Sequence, residues 1–199
     1  MNQPAPRYDR PSISLIATGL GDGSASLFIG GADGARDLGL MRRLDIVAAV
    51  NCAVNLDINY VAASLARAEA GLAAVGHAPL RTYKIGMVDG PGNSAHLMLA
   101  GYYILDAAMM QHFPERASYP NRARGNVLVH CRGGRSRSVA LSALYIARKQ
   151  PHLFHDLDAA IAHIRQKREL RPDEWFETPK PELMDAVREA MDMLNTLEG

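Results

Sequence analysis

The chain concentrates its reactive side chains in one short run, His130-Cys131-Arg132-Gly133-Gly134-Arg135-Ser136-Arg137-Ser138. The residues before it, Asn126 to Val129, form a short apolar run that predicts a strand, and Ser138 to Lys149 has helical spacing. A strand, a glycine turn and a helix N-terminus in that order aim successive backbone N–H groups into one concavity and add the positive end of the helix dipole. Such a concavity holds an anion, and phosphate suits it. A cysteine that opens the loop feels the same field, which favours thiolate over thiol and makes Cys131 a nucleophile at neutral pH. Arg137 returns to the same rim, where its planar fork can hold two oxygens of a phosphoryl group. The five residues between them leave a loop wide enough to cradle three equatorial oxygens, with Arg132, Gly133, Gly134, Arg135 and Ser136 as candidate substrate-binding residues.

The pattern His130-Cys131-x-x-Gly134-x-x-Arg137-Ser138 resembles the signature of the cysteine-dependent protein tyrosine phosphatases, and its surroundings resemble the small dual-specificity branch. Leu27-Phe28-Ile29-Gly30-Gly31 and Ile46 to Asn51 are similar to that family's first sheet strands. Leu157 to Ile161, Lys167-Arg168 and Pro172 are similar to its post-loop helix and connection, so the likeness spans about residues 25–190. The resemblance implies a two-step reaction with no metal and no cofactor. Cys131 attacks phosphorus in line, Arg137 and the loop amides hold the developing charge, and the phosphocysteine is then hydrolysed. The family protonates the leaving oxygen with an Asp on a loop before the cysteine. Asp89 fits that part, because it ends a predicted strand and the Gly90-Pro91-Gly92 after it can form a loop over the pocket. It would serve as general acid and then as general base, and Asn93 is a candidate for shaping the same loop. By the same resemblance Ser138 hydrogen-bonds the sulfur and helps it leave, and His130 positions the loop and stabilises the thiolate.

Elements that could hold these residues follow from the apolar pattern. Strands are predicted over Ser12 to Ala17, Ser26 to Ile29, Ile46 to Val50, 82–87 and Asn126 to Val129. Helices are predicted over 34–43, 60–75, 95–112, 138–149, 157–168 and 181–197. Asp33, Ser94 and Thr178 are candidate N-caps, with Pro179 in the first turn of the last helix and Pro151 as a stop. Strands alternating with helices imply a single α/β domain, a central mostly parallel sheet flanked by helices. The resemblance makes this a phosphatase fold. Residues 1–11, with three prolines and no apolar period, read as a flexible leader to a catalytic domain over 12–199. Residues 111–125 read as a polar surface insertion.

Composition bounds the rest. At 199 residues, 48% hydrophobic and 22% charged, the chain has enough apolar surface for one buried core. Twenty-two basic against 21 acidic residues exclude a globally basic nucleic-acid coat, so any charge effect is local. Such a zone exists: Arg116, Arg122, Arg124, Arg132, Arg135 and Arg137 lie in a stretch without Asp or Glu, which reads as a rim attracting acidic or multiply phosphorylated substrates. Two cysteines are too few for a disulfide scaffold. No secretory signal opens the chain and no apolar run is long enough to span a membrane, so a cytoplasmic location is expected, and the Arg-over-Lys, Ala-rich bias suggests a GC-rich bacterial source.

The expected partner is a phosphorylated protein or a small phosphorylated substrate, with no nucleic acid; oligomeric state has no signal in the sequence. A phosphotyrosine or dual-specificity protein phosphatase is the first reading. Inositol phosphate or phosphoinositide hydrolysis is the second, because Arg132 and Arg135 place two more guanidinium groups at the loop, where phosphoinositide phosphatases carry basic residues. A rhodanese-like sulfurtransferase also opens a basic glycine loop with Cys, but its loop is one residue shorter. A phosphate-binding module without turnover is disfavoured because nucleophile, arginine, hydroxyl and candidate acid are all present. His152, His155 and His163 cross an apparent helix start with no completing ligand, so no metal site is expected. Cys52 reads as a buried small hydrophobe; its alternative role is a reversible disulfide with Cys131 that protects the thiolate.

Overall fold

The computed structural model describes residues 8–61, 73 and 75–198. Five strands form one sheet: β1 (Ile13–Leu20), β2 (Ala25–Gly30), β3 (Ile46–Ala53), β4 (Arg81–Met87) and β5 (Asn126–His130), in the order β1-β2-β5-β3-β4. β1 is antiparallel to β2, and every other neighbouring pair is parallel. The three inner strands read as near-continuous apolar runs because helices cover both their faces. The edge strands β1 and β4 alternate with exposed residues instead.

Side chains leave each strand alternately to two sides. On one side Leu27, Ile29, Val50, Cys52, Val127, Val129 and Cys131 build the larger core with α3 (Ala95–Met110), α4 (Arg137–Lys149), α5 (Leu157–Lys167) and α6 (Pro181–Glu198). On the other, Phe28, Ala49 and Leu128 pack against Ala35 and Met41 of two short helices, α1 (Ala32–Arg36) and α2 (Leu38–Arg43). Every residue of α4 from Arg137 to Ala147 is buried, so the helix that follows the reactive loop is the most enclosed element of its layer.

The parallel strands all end on one side of the sheet, and the connections leaving β2, β3, β4 and β5 meet there. Open α/β sheets bind ligands at that edge.

Several local expectations are corrected. The helix expected over 34–43 is two, because Asp37 interrupts it and caps the second by accepting from the Leu40 N–H at 2.8 Å. Asp33 therefore lies inside α1, paired with Arg36, and is not a cap. Ser94 does cap α3. Thr178 closes a 3-10 helix over Pro172–Glu177, and the last helix begins at Pro181, so Pro179, which follows a cis peptide bond, is outside it. The helical spacing over 60–75 falls almost wholly outside the described residues. The described end of the leader is tied down: Arg10 pairs with the buried Glu174 at 2.7 Å, and the Pro11 carbonyl accepts from Arg168 at 2.8 Å. None of the described helices is long and apolar enough to cross a membrane.

Candidate active site

The loop from Cys131 to Ser136 turns tightly at Gly134, whose φ is +65°. A Cβ there would stand 2.6 Å from the Gly30 carbonyl carbon and oxygen, so only glycine allows both the turn and the approach of the loop to the end of β2. The Ala32 N–H donates to the Arg132 carbonyl at 2.9 Å from the other side of that contact. From below, the fully buried Arg168 donates to the Gly134 carbonyl at 3.2 Å and to Ser14 Oγ at 2.9 Å. Burial draws the Arg168 pKa down to about 10, which leaves it charged at neutral pH. The backbone of the loop is thus fixed from β1, β2 and the end of α5.

Cys131 follows β5 on the side of the larger core and is buried, with Sγ 3.4 Å from Ser138 Oγ. Burial pushes its thiol up. The Ser138 hydroxyl and amide, the Arg137 guanidinium and the Gly134 amide together outweigh that and hold it below its ordinary value. Arg137 is also buried. Its Nη1 donates to Asn55 Oδ1 at 3.0 Å and to the Met87 carbonyl at 3.3 Å, while its Nε is buried without a partner. A buried guanidinium N–H with nothing to donate to is a place for an incoming oxygen.

Asp89 enters from the connection after β4, its carboxylate 3.8 Å from Arg137. Its loop is closed on itself by Asn93, which accepts from the Val88 N–H at 2.9 Å and donates to the carbonyls of Val88 and Gly90 at 2.9 and 2.8 Å. Asp89, Cys131, Gly133, Arg135, Ser136 and Arg137 line one cleft of about 210 Å³ together with Glu177 and Lys180. The structure thus brings Cys131, Arg137 and Asp89 to one cleft.

Other expectations change. The His130 side chain leaves the strand on the face opposite the Cys131 side chain and lines a separate small cavity with Ala49, Asn51 and Thr82, while its ring interacts with the Cys131 backbone, which is compatible with a part in positioning the loop. Burial lowers its pKa to about 4, so at neutral pH it is uncharged and has no positive charge to lend the thiolate. Arg132 is exposed and not among the residues lining the cleft. Arg135 lines it but is paired with the buried Glu174 at 3.3 Å and with Glu177 at 3.4 Å. The basic zone of 116–137 is not one surface. Arg116, Arg122 and Arg124 precede β5 and Arg132, Arg135 and Arg137 follow it, and five residues of strand separate the two groups by about 16 Å. The upstream arginines have local partners, Arg122 with Glu115 and Arg124 with Asp22.

Four residues at the site escape sequence reading: Asn55, Glu174, Glu177 and Lys180. Asn55 and Lys180 are single polar residues in connections, and Glu174 and Glu177 stand in the short 3-10 helix, none with a motif that ties it to the loop. Among the described residues no cluster of His, Cys, Asp and Glu suits a metal ion; His163 instead meets the Ile16 carbonyl at 2.7 Å, and His155 pairs with Asp156. Cys52, on β3 and one residue beyond the paired Asn51 and His130, is fully buried in the same core as Cys131. Burial, and then the nearness of Cys131, push its thiol well up.

No family model matches the sequence, and no curated protein is significantly similar to it. Solved structures are similar over nearly the whole chain. A mouse protein described as a putative dual specificity phosphatase, complexed with zinc tungstate, superposes with a TM-score of 0.61 at 20% identity, covering 99% of this chain and 97% of that one. Human DUSP28 gives 0.59 at 21%, covering 98% and 99%. The Yvh1 phosphatase domain of Chaetomium thermophilum gives 0.60 at 18%, covering 84% and 90%. A five-stranded, mostly parallel sheet with its glycine loop at the end of the central strand, matched over 84–99% of the chain by these structures, is the fold of the dual-specificity and protein tyrosine phosphatases.

Proposed function

We propose that the chain is a phosphomonoester hydrolase that works through a phosphocysteine and acts on phosphorylated protein side chains, as a tyrosine or dual-specificity phosphatase. One observation carries the reading: the buried Cys131, its thiol held below the ordinary range, shares a cleft with the unfilled Nε–H of Arg137 and with Asp89. In the first step the thiolate attacks phosphorus, the S–P bond forms as the ester P–O bond breaks, and the leaving oxygen takes a proton from Asp89. In the second, water attacks phosphorus and gives its proton to the Asp89 carboxylate. Phosphate leaves, and the Ser138 hydroxyl donates to the departing sulfur. Arg137 and the loop amides hold the equatorial oxygens throughout. Every step uses this chain's side chains and water.

Arg135 and Arg132 favour protein substrates over the inositol phosphate and phosphoinositide alternative. Extra phosphates need unclaimed cations at the loop, whereas Arg135 is committed to two carboxylates and Arg132 is outside the cleft lining. Phosphate release from para-nitrophenyl phosphate is the first test, followed by phosphopeptides set against inositol phosphates at equal concentration. Turnover with a higher kcat/KM on phosphopeptides is expected. Vanadate-sensitive binding without turnover would make the chain a phosphate binder, and sulfite from thiosulfate and cyanide would make it a transferase.

A further inference from the structure

Lys180 joins the two loops of the site by two different atoms. Its backbone N–H donates to Ser136 Oγ in the phosphate loop at 3.1 Å. Its ammonium donates to the main-chain carbonyl of Asp89 at 3.0 Å and stands 3.9 Å from the Asp89 carboxylate. The Asp89 loop is otherwise braced mainly from within, by the three hydrogen bonds of Asn93, which fix its shape without fixing where it rests. Gly90 and Gly92, both at positive φ, flank the only proline of that turn, so its backbone adopts a conformation few other residues would hold. Against the phosphate loop, Asp89 has the long 3.8 Å contact to Arg137 and the tether from Lys180. Lys180 itself is set by the turn between the 3-10 helix and α6, and its side chain is about a third exposed.

We propose that Lys180 is a positioning residue for proton transfer: it holds the Asp89 loop against the phosphate loop so that the carboxyl group meets the leaving oxygen. The inference rests on the reading of Asp89 as the general acid. A proton donor acts only within about 2.6–3.2 Å of its target, so a loop displaced by one bond length loses the contribution of the acid while the nucleophile and the arginine keep theirs.

The test compares leaving groups. Dinitrophenyl phosphate expels a phenolate that needs no proton, and phenyl phosphate expels one that does. Lys180→Met removes the ammonium and keeps the backbone N–H to Ser136. Its kcat/KM on phenyl phosphate, which reports the leaving-group step and not the shared hydrolysis of the phosphocysteine, should fall about tenfold, a fraction of the roughly hundredfold or greater loss expected from Asp89→Asn, with less than a twofold change in kcat/KM on dinitrophenyl phosphate in the same preparation. Lys180→Arg, which can still donate to the Asp89 carbonyl, should recover most of the loss. An equal fall on both substrates would place Lys180 in phosphate binding and overturn the proposal, as would no fall on either. Should Asp89→Asn itself show no dependence on leaving group, the acid assignment fails and this inference with it. If only Lys180→Met lacks the dependence, the inference alone fails.

Discussion

Ser138→Ala isolates how the site ionises Cys131. Burial is the largest influence on that thiol and opposes ionisation, so its depressed pKa exists because several smaller effects outweigh burial together, the Ser138 side chain first among them. Removing the hydroxyl at 3.4 Å leaves the Ser138 and Gly134 amides and Arg137 in place, and leaves burial unchanged. A hydrogen bond to a charged group contributes roughly 1.5–3 kcal/mol, and about 1.4 kcal/mol is a factor of ten. The thiolate fraction at a pH below the titration midpoint should therefore fall about ten- to a hundredfold, nearer the lower figure for a contact to sulfur of this length. The midpoint itself moves upward. The assay is the rate of alkylation by iodoacetamide against pH, with Cys52→Ala as background so that one thiol is followed, and with vanadate protection to show that it is the site thiol. A titration curve unchanged by Ser138→Ala would refute the assignment of the hydroxyl as a principal stabiliser of the thiolate. A wild-type midpoint at that of free cysteine would refute the activated nucleophile altogether.

Cys131→Ser should abolish turnover while retaining phosphate or vanadate binding, measured by calorimetry, whereas Arg137→Lys should lose both, because an ammonium cannot replace a guanidinium that holds Asn55 and Met87 and still offers Nε–H to substrate. His130 predicts acid lability. Its pKa is lowered from 6.5 to about 4 on folding, so the unfolded chain binds more protons between those values, and stability is full above pH 6.5 and falls toward pH 4 by about 3 kcal/mol. Urea unfolding across that range should lose its slope in His130→Asn relative to the parent. Mild peroxide should oxidise Cys131 to the sulfenic acid, and the Cys52 thiol should condense with it, releasing water and forming a disulfide between the residues that follow the paired Asn51 and His130. Full alkylation of Cys52 while activity is reversibly lost would exclude that disulfide.

The reactive loop is legible in the sequence because its determinants are contiguous: strand, glycine turn and helix follow one another within about twenty residues. Asp89 is legible through the Gly-Pro-Gly after it. The inner strands announce themselves because burial on both faces leaves them mostly apolar, with polar residues such as Ser26, Asn51, Asn126 and His130 near their ends. What the sequence conceals is what arrives from elsewhere in the chain. Asn55 reaches Arg137 from beyond the end of β3 as one polar residue without a pattern, and Arg168, visible in the sequence only as part of the connection after α5, reaches Gly134 from there. Glu174 and Glu177 decide the fate of Arg135 across some forty positions, so a charge that looks available in one dimension is already committed in three. Linear closeness misleads in the basic stretch for the converse reason, since a strand separates its two halves. The capping differences are local: Gly31, not Asp33, precedes the first short helix, and Asp37 caps the second.

Glu174 accepts from Arg10 at 2.7 and 3.0 Å, from the Arg171 N–H at 3.2 Å and from Arg135 at 3.3 Å, and its side chain has no exposure at all. The first described stretch of the chain is thereby stitched to Arg135 in the wall of the cleft. Trimming back to Pro11 would leave that carboxylate enclosed with one guanidinium fewer, and breaking a buried ion pair costs about 3–5 kcal/mol. Arg135 would then be drawn harder into the wall. A cut after Arg10 detaches a strut from behind the cleft, whereas one that leaves Arg10 in the chain spares the joint.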